Sequence, residues 1–182
     1  MWIRKAPYPL KSDLPRITRH DQLPSGCKLL GEIPDNTTDR RLYFIYNDGH
    51  LSILDMVDRH FEDGDHYYRC AQDDFPLEFL TWFPIALEEF RKPPAEGGLH
   101  AGGMTTPDMD VGGEMLCLQR ALGSDQGRGG YGVRNRSRCK NGYDPETDFE
   151  PHDVSWASRF LYEGGLLKLI TELCEKLKTG EL

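Results

Sequence analysis

The chain has 182 residues, of which 38% are hydrophobic and 29% are charged, and its formal net charge is −8. This length can form a hydrophobic core without metals or disulfides, and the composition is too apolar for an intrinsically disordered chain. The acidity disfavours nucleic acid and anionic membranes as partners, except where basic residues cluster locally. No apolar run approaches the roughly 20 residues of a membrane-spanning helix.

The cysteines indicate a reducing compartment. They are widely spaced and form no Cys-x-x-Cys pair: Cys27, Cys70, Cys117, Cys139 and Cys174. An odd, dispersed set is typical of free thiols rather than of a disulfide framework or a zinc finger. The N-terminus, MWIRKAPYPLKSDLP, has charges and prolines where a signal peptide needs an apolar segment. The sequence therefore predicts a cytoplasmic protein.

The first forty residues predict an irregular N-terminal segment, 1–40, that packs on a single α+β domain, 41–182. Prolines interrupt any long helix in this segment, although CKLLGEI can form a short strand. The domain then begins with RLYFIYNDGHLSILDMV, in which Asp48-Gly49 between two apolar runs predicts a hairpin of strands 42–47 and 51–57. The helical spacing of Leu54, Val57 and Phe61 leaves a helix as the alternative for the second run.

A helix is predicted over 76–91, with Asp74 as its N-cap and Pro76 in its first turn. Pro84 lies inside the apolar stripe, so a kink or two short helices are expected. A second amphipathic helix is predicted over 166–178, with Leu169, Ile170 and Leu173 in the core.

Further strands are predicted at 66–70, 114–121 and 131–138. Together these elements predict an α+β fold, with a mostly antiparallel sheet of about five strands, helices packed on one face and a loop-rich N-terminal arm.

The stretch HFEDGDHYYRC, residues 60–70, has the residue types of a metal or acid/base site, which His60, Asp63, Asp65 and His66 would form. The alternative is a hairpin with Asp63-Gly64 as a two-residue turn. In that register His66 lies opposite Phe61, and the two histidines point to opposite faces. The turn is the favoured interpretation, because only a bulge or an odd-length loop would bring both histidines to one ion.

A basic strand is the other candidate site. The stretch Arg128–Lys140 contains no acid, and a strand at 131–138 would place Arg134, Arg136 and Arg138 on one face, with Tyr131 nearby. Three guanidiniums at two-residue spacing can bind phosphates or carboxylates. The alternative is internal pairing with nearby acids: Glu114, Asp144, Glu146 or Asp148.

No catalytic motif is present, so no catalytic residue and no cofactor are predicted. Cys70 or Cys117 could pair with His100 or His152, but nothing in the sequence activates a thiol.

The leading hypothesis is a macromolecule-binding protein, an inhibitor, immunity-type protein or accessory factor, whose partner is another protein. Nucleic acid is disfavoured except through Arg128–Lys140, no membrane partner is expected, and the oligomeric state stays open. Arginine and aromatic residues in polar settings support an interface; the aromatics are Trp2, Trp82, Trp156, Tyr67 and Tyr68. The alternatives are a metal-dependent hydrolase or phosphotransfer enzyme that uses residues 60–66, and a small-ligand-binding domain with a pocket between helix 76–91 and the sheet.

Overall fold

Two antiparallel sheets of four strands form the framework of the computed structural model, which describes residues 4–182. The first sheet contains β1 (Cys27–Pro34), β2 (Arg41–Asn47), β3 (His50–His60) and β4 (His66–Pro76). The second contains β5 (Met109–Val111), β6 (Glu114–Arg120), β7 (Gly130–Cys139) and β8 (Pro151–Ala157). The α+β class is confirmed, but the single sheet of about five strands is wrong. Residues 1–3, with Trp2 and the start of the predicted N-terminal segment, lie outside the described residues.

The helices are α1 (Phe79–Arg91), α2 (Ser124–Gly127), α3 (Ser158–Tyr162) and α4 (Leu166–Lys178), and a 3-10 turn covers Pro94–Glu96. α2 is a single turn in which Asp125 and Gln126 have φ angles of 48° and 55°, so it is not a regular right-handed helix. Among residues 4–182, no helix combines the length and the apolar character needed to cross a membrane.

The Asp48-Gly49 hairpin is confirmed. Asn47 pairs with His50, and the two turn residues have φ angles of 49° and 83°. Positive φ at both positions matches the right-handed twist of the flanking strands. The run after the turn is therefore a strand and not a helix, and its ladder with β4 continues to His60.

The helix predicted over 76–91 begins later than expected. Asp74 does not cap it, because this residue lies in β4 and its backbone N–H donates to His152 Nδ1 at 2.8 Å. Pro84 does not divide α1 either. Phe83 and Leu87 on its two sides are both buried, so packing holds the helix together despite the hydrogen bond that proline cannot make.

The helices pack on the two sheets around one large core, which includes Phe44, Phe75, Phe83, Trp156 and Ile170. A smaller apolar cluster covers the other face of the first sheet, where Ile17 of the N-terminal segment packs with Tyr43, Ile45, Leu54 and Met56. The first sheet is therefore covered on both faces.

The C-terminal helix has the predicted bounds, and its stripe differs from prediction at one position. Ile170 and Leu173 are buried, whereas Leu169 is only partly buried and lies against Gly31. A Cβ at Gly31 would come within 2.9 Å of Leu169 Cδ1, so a larger residue in this strand would require the Leu169 side chain to move.

Leu173→Ala should lower the free energy of unfolding by about 2–5 kcal/mol, because it leaves a cavity in the core. The same substitution at Leu122, which is 60% exposed, should change it by no more than about 0.5 kcal/mol. Urea denaturation of both variants checks this. Equal denaturation midpoints for the two variants would show that Leu173 of α4 is not packed in the core.

Candidate functional site

The three arginines of β7 do not share one face. Arg134 and Arg136 lie on the outer face of the second sheet, but the pairing of β7 with β8 is irregular between Asn135 and Cys139. Arg138 is turned inward there and is 3% exposed. Its Nε donates to Glu114 Oε1, and its Nη1 donates to the Ser12 carbonyl at 2.9 Å. The predicted three-arginine ladder is wrong for Arg138, which has a structural ion pair.

Arg136 is also paired internally, although with a carboxylate outside the expected set. Its Nη1 donates to Asp108 Oδ2 at 2.8 Å, and the Tyr8 hydroxyl donates to the same oxygen at 2.6 Å. Tyr131 faces the helices and packs edge-on against Phe90, with ring centroids 5.8 Å apart. It therefore does not join the arginines.

Arg134 is the exposed guanidinium of this strand. It lies across from Asp153 of β8, but the Lys140 ammonium donates to that carboxylate. Within residues 4–182, Arg134 makes no ion pair. The sequence prediction of a free basic group on β7 thus applies to this one side chain.

A shallow pocket of about 330 Å³ adjoins Arg134. Four cationic side chains line it, which we call the basic patch: Arg4, Lys5, Arg134 and Arg136. Arg4 pairs with Glu150 at 3.1 Å and Lys5 with Glu146 at 2.7 Å. The pocket also contains Cys117, whose thiol stays neutral because burial raises its pKa to about 11.

The acidic stretch folds as a hairpin, but not in the predicted register. The ladder ends at the pair His60 and His66, so five residues, Phe61–Asp65, connect the strands, and within this loop Phe61 N–H donates to the Asp65 carbonyl at 2.9 Å. Asp63 is part of the turn, because its Oδ1 accepts the Asp65 N–H at 3.0 Å. The two-residue turn is wrong, and the odd-length loop places His60 directly opposite His66.

The two histidines converge on a residue that the sequence reasoning missed. Their rings stack with centroids 4.2 Å apart and planes 5° apart. Asp58 Oδ1 lies 2.7 Å from His66 Nε2 and 3.4 Å from His60 Nε2. The hydrogen bond from His66 holds the pKa of Asp58 below its ordinary value. Asp58 and His60 are two residues apart on one strand, and this spacing was the available indication of a shared face.

A polar pocket, also missed, lies where the N-terminal segment crosses β4. Its volume is about 210 Å³, and Asp73, Lys140, His152 and Cys70 are among its lining residues. Asp73 Oδ1 accepts the Asp153 N–H at 3.0 Å and lies 3.8 Å from Lys140 Nζ. The site was missed because the sequence pattern predicts the start of a helix at Asp74, whereas Asp73 and Asp74 both lie in β4.

Several ionisable groups of this pocket have shifted pKa values. Burial raises the pKa of Asp73 to about 7, and the Lys140 ammonium offsets only part of this effect. Burial also lowers the pKa of His152. Its Nδ1 accepts the Asp74 N–H, so the neutral ring carries its proton on Nε2. The Cys70 thiol is not activated, because burial raises its pKa.

The expected pocket between α1 and the sheet is filled by aromatic rings. Phe83 and Trp156 meet there edge to face with centroids 5.5 Å apart, and Trp156 is 1% exposed. Trp156 is therefore a core residue and not an interface anchor. An apolar pocket of about 310 Å³ lies instead beside α1, between Trp82 and Met109.

No protein-family model, no curated protein and no solved structure matches this chain.

Asp73→Asn should change how stability depends on pH. The folded protein holds the Asp73 proton up to about pH 7, whereas the unfolded chain loses it near 3.8. Between these values rising pH lowers the free energy of unfolding, by at most about 1.4 kcal/mol per unit. Asparagine keeps the acceptor for Asp153 N–H and cannot ionise. The unfolding free energy of the wild type minus that of the variant should therefore fall from about pH 5 to about pH 7 and then level off.

Urea denaturation at a series of pH values measures this difference. The lowered pKa of His152 reduces stability as pH falls below 6.5, but this effect is present in both proteins and cancels. Asp63→Asn, which removes one carboxylate at an exposed turn, is the matched control. A difference that does not vary with pH for Asp73→Asn would contradict a buried, protonated Asp73.

Proposed function

We propose that this chain is a cytoplasmic binding protein that holds an acidic surface of another protein through the basic patch. The observation that carries the proposal is Arg134, an unpaired guanidinium at the patch. A guanidinium binds a carboxylate with two parallel hydrogen bonds, so a partner's Asp, Glu or chain-terminal carboxylate is the fitting group. An inhibitor, an immunity-type protein and an accessory factor would all act in this way.

The charge distribution supports a local and specific contact. The chain carries a net charge of −8, so its surface as a whole repels an acidic partner. Arg4, Lys5 and Arg136 are held by Glu150, Glu146 and Asp108. These pairs occupy the other cations around the pocket and leave Arg134 as the group free to bind a new carboxylate. The free thiols of all five cysteines fit the cytoplasmic part of the proposal.

The geometry disfavours an enzyme that combines the histidine hairpin with the arginines. His66 and Asp73 are seven residues apart on β4, which is about 23 Å along an extended strand. Asp73 accepts a hydrogen bond from the backbone N–H of Asp153, which lies opposite Arg134 in the β7–β8 ladder. A metal at His66 would therefore lie too far from a phosphate at Arg134 to act on it.

A small-ligand site in the polar pocket is the second candidate function. The observation in its favour is that an acid with a pKa near 7, a neutral histidine and an ammonium group line one small cavity. Such convergence of shifted groups in a cleft is typical of ligand sites. A thermal-shift screen of sugars, amines and nucleotides tests it, and a genuine hit should lose its effect in Asp73→Asn or Lys140→Met.

Arg134→Glu should weaken partner binding by about 2 kcal/mol or more, because the substitution adds repulsion to a lost ion pair. Its melting temperature should fall only slightly, because the side chain is exposed and makes no ion pair, although the new carboxylate lies across from Asp153. Wild-type, Arg134→Glu and Arg128→Glu proteins should be used in parallel to capture partners from lysate. Arg128, with 67% of its side chain exposed, is the control outside the patch.

The supporting result is a protein retained by the wild type and Arg128→Glu, lost by Arg134→Glu and released by salt. Arg136→Glu is a second comparison, because it places a carboxylate against Asp108 and should lower the melting temperature. A partner that binds all variants equally would show that the basic patch is not part of the interface.

A further inference from the structure

The end of the β3–β4 hairpin has the donor set of a metal site. His60 and His66 are the last directly opposed pair before the loop, and Asp58 is on the same face two residues earlier. One nitrogen or oxygen of each side chain lies within 4.8 Å of the other two. We propose that Asp58, His60 and His66 bind a divalent first-row transition ion such as Zn²⁺. This site goes beyond the proposed protein-binding function.

The donor distances fit such an ion. Zinc lies about 2.0–2.1 Å from histidine nitrogens and carboxylate oxygens, so neighbouring donors of a tetrahedral site are about 3.3 Å apart. Asp58 Oδ1 lies 2.7 Å from His66 Nε2 and 3.4 Å from His60 Nε2. The donors therefore have nearly the separation that an ion requires, but the His60 and His66 rings are 5° from parallel, so one imidazole must rotate for both nitrogens to point at the ion.

The donor chemistry selects the class of ion. Two imidazoles and one carboxylate suit zinc, nickel, cobalt or copper, whereas calcium and magnesium require a shell of oxygens. Three protein ligands leave a tetrahedral ion with one open position, which water or a group from another molecule can fill. All three side chains are exposed, so the ion has direct access.

The surroundings favour a cation. The loop carries Glu62, Asp63 and Asp65, which give this end of the hairpin a negative potential. Arg19, whose charge also acts on Asp58, is held by Asp21 at 3.0 Å. The β3–β4 ladder fixes the backbones of all three ligands, so few residues must be ordered when the ion binds.

The test is Zn²⁺ binding to the full chain after treatment with a chelator, followed by isothermal titration with zinc chloride near neutral pH. We expect saturable binding of one ion per chain, with an affinity at least about tenfold weaker in His66→Ala and in Asp58→Asn. His100→Ala removes an exposed histidine elsewhere and should bind like the wild type. The double variant Asp63→Asn/Asp65→Asn should keep the site, because these residues form the turn.

Circular dichroism and the metal-free melting temperature of His66→Ala should match the wild type, which separates loss of a ligand from loss of the fold. Cobalt(II) provides an independent readout, because its visible absorption reports the donor set and should be lost with His66. Absence of saturable zinc binding, or binding that survives both His66→Ala and Asp58→Asn, would overturn the proposal. Zinc binding that is lost in His100→Ala instead would place the ion elsewhere and would also overturn it.

Discussion

The two sheets share no strand ladder, and the hydrogen bonds between them are the constraint on which the rest of the structure depends. Asp74 N–H donates to His152 Nδ1 at 2.8 Å, Asn135 Nδ2 donates to the Asp74 carbonyl at 2.9 Å, and Asp153 N–H donates to Asp73 Oδ1 at 3.0 Å. A buried polar group without a partner is costly. These hydrogen bonds therefore fix the position, or register, of one sheet relative to the other. The apolar core supplies the driving force, but a non-directional force cannot select that register.

The same contacts explain where the candidate sites lie. Arg138 can be buried because Glu114 and the Ser12 carbonyl both accept hydrogen bonds from its guanidinium. The bond to Ser12 joins the N-terminal segment to β7. Lys140 follows β7 immediately and neutralises Asp153. Arg134 consequently has no carboxylate left across the strand. Arg134 is thus the unpaired charge of the basic patch because Lys140 already pairs with the acid across the strand, Asp153.

The features that could be predicted from the sequence are those set by neighbouring residues. Asp48-Gly49 specifies its own turn, and the apolar spacing from Leu166 onward specifies α4, because both depend on local backbone and side-chain geometry. The orientation of Arg138 and the partner of Asp74 depend on residues more than twenty positions away. No local pattern contains that information. At residues 60–66 a register shift of one residue, rather than a weak pattern, separated the predicted turn from the histidine pair.

The residues that hold the fold differ from those proposed to bind an ion, and burial is the reason. The residues between the sheets cannot change without leaving an unpaired polar group inside the protein. Asp58, His60 and His66 lie where the hairpin extends beyond the core, and their packing contributes little to folding. The strand register places the two imidazoles opposite each other, and the hydrogen bond between His66 and Asp58 holds the carboxylate beside them. An ion bound by all three would add stabilisation that apolar burial does not supply at this exposed position.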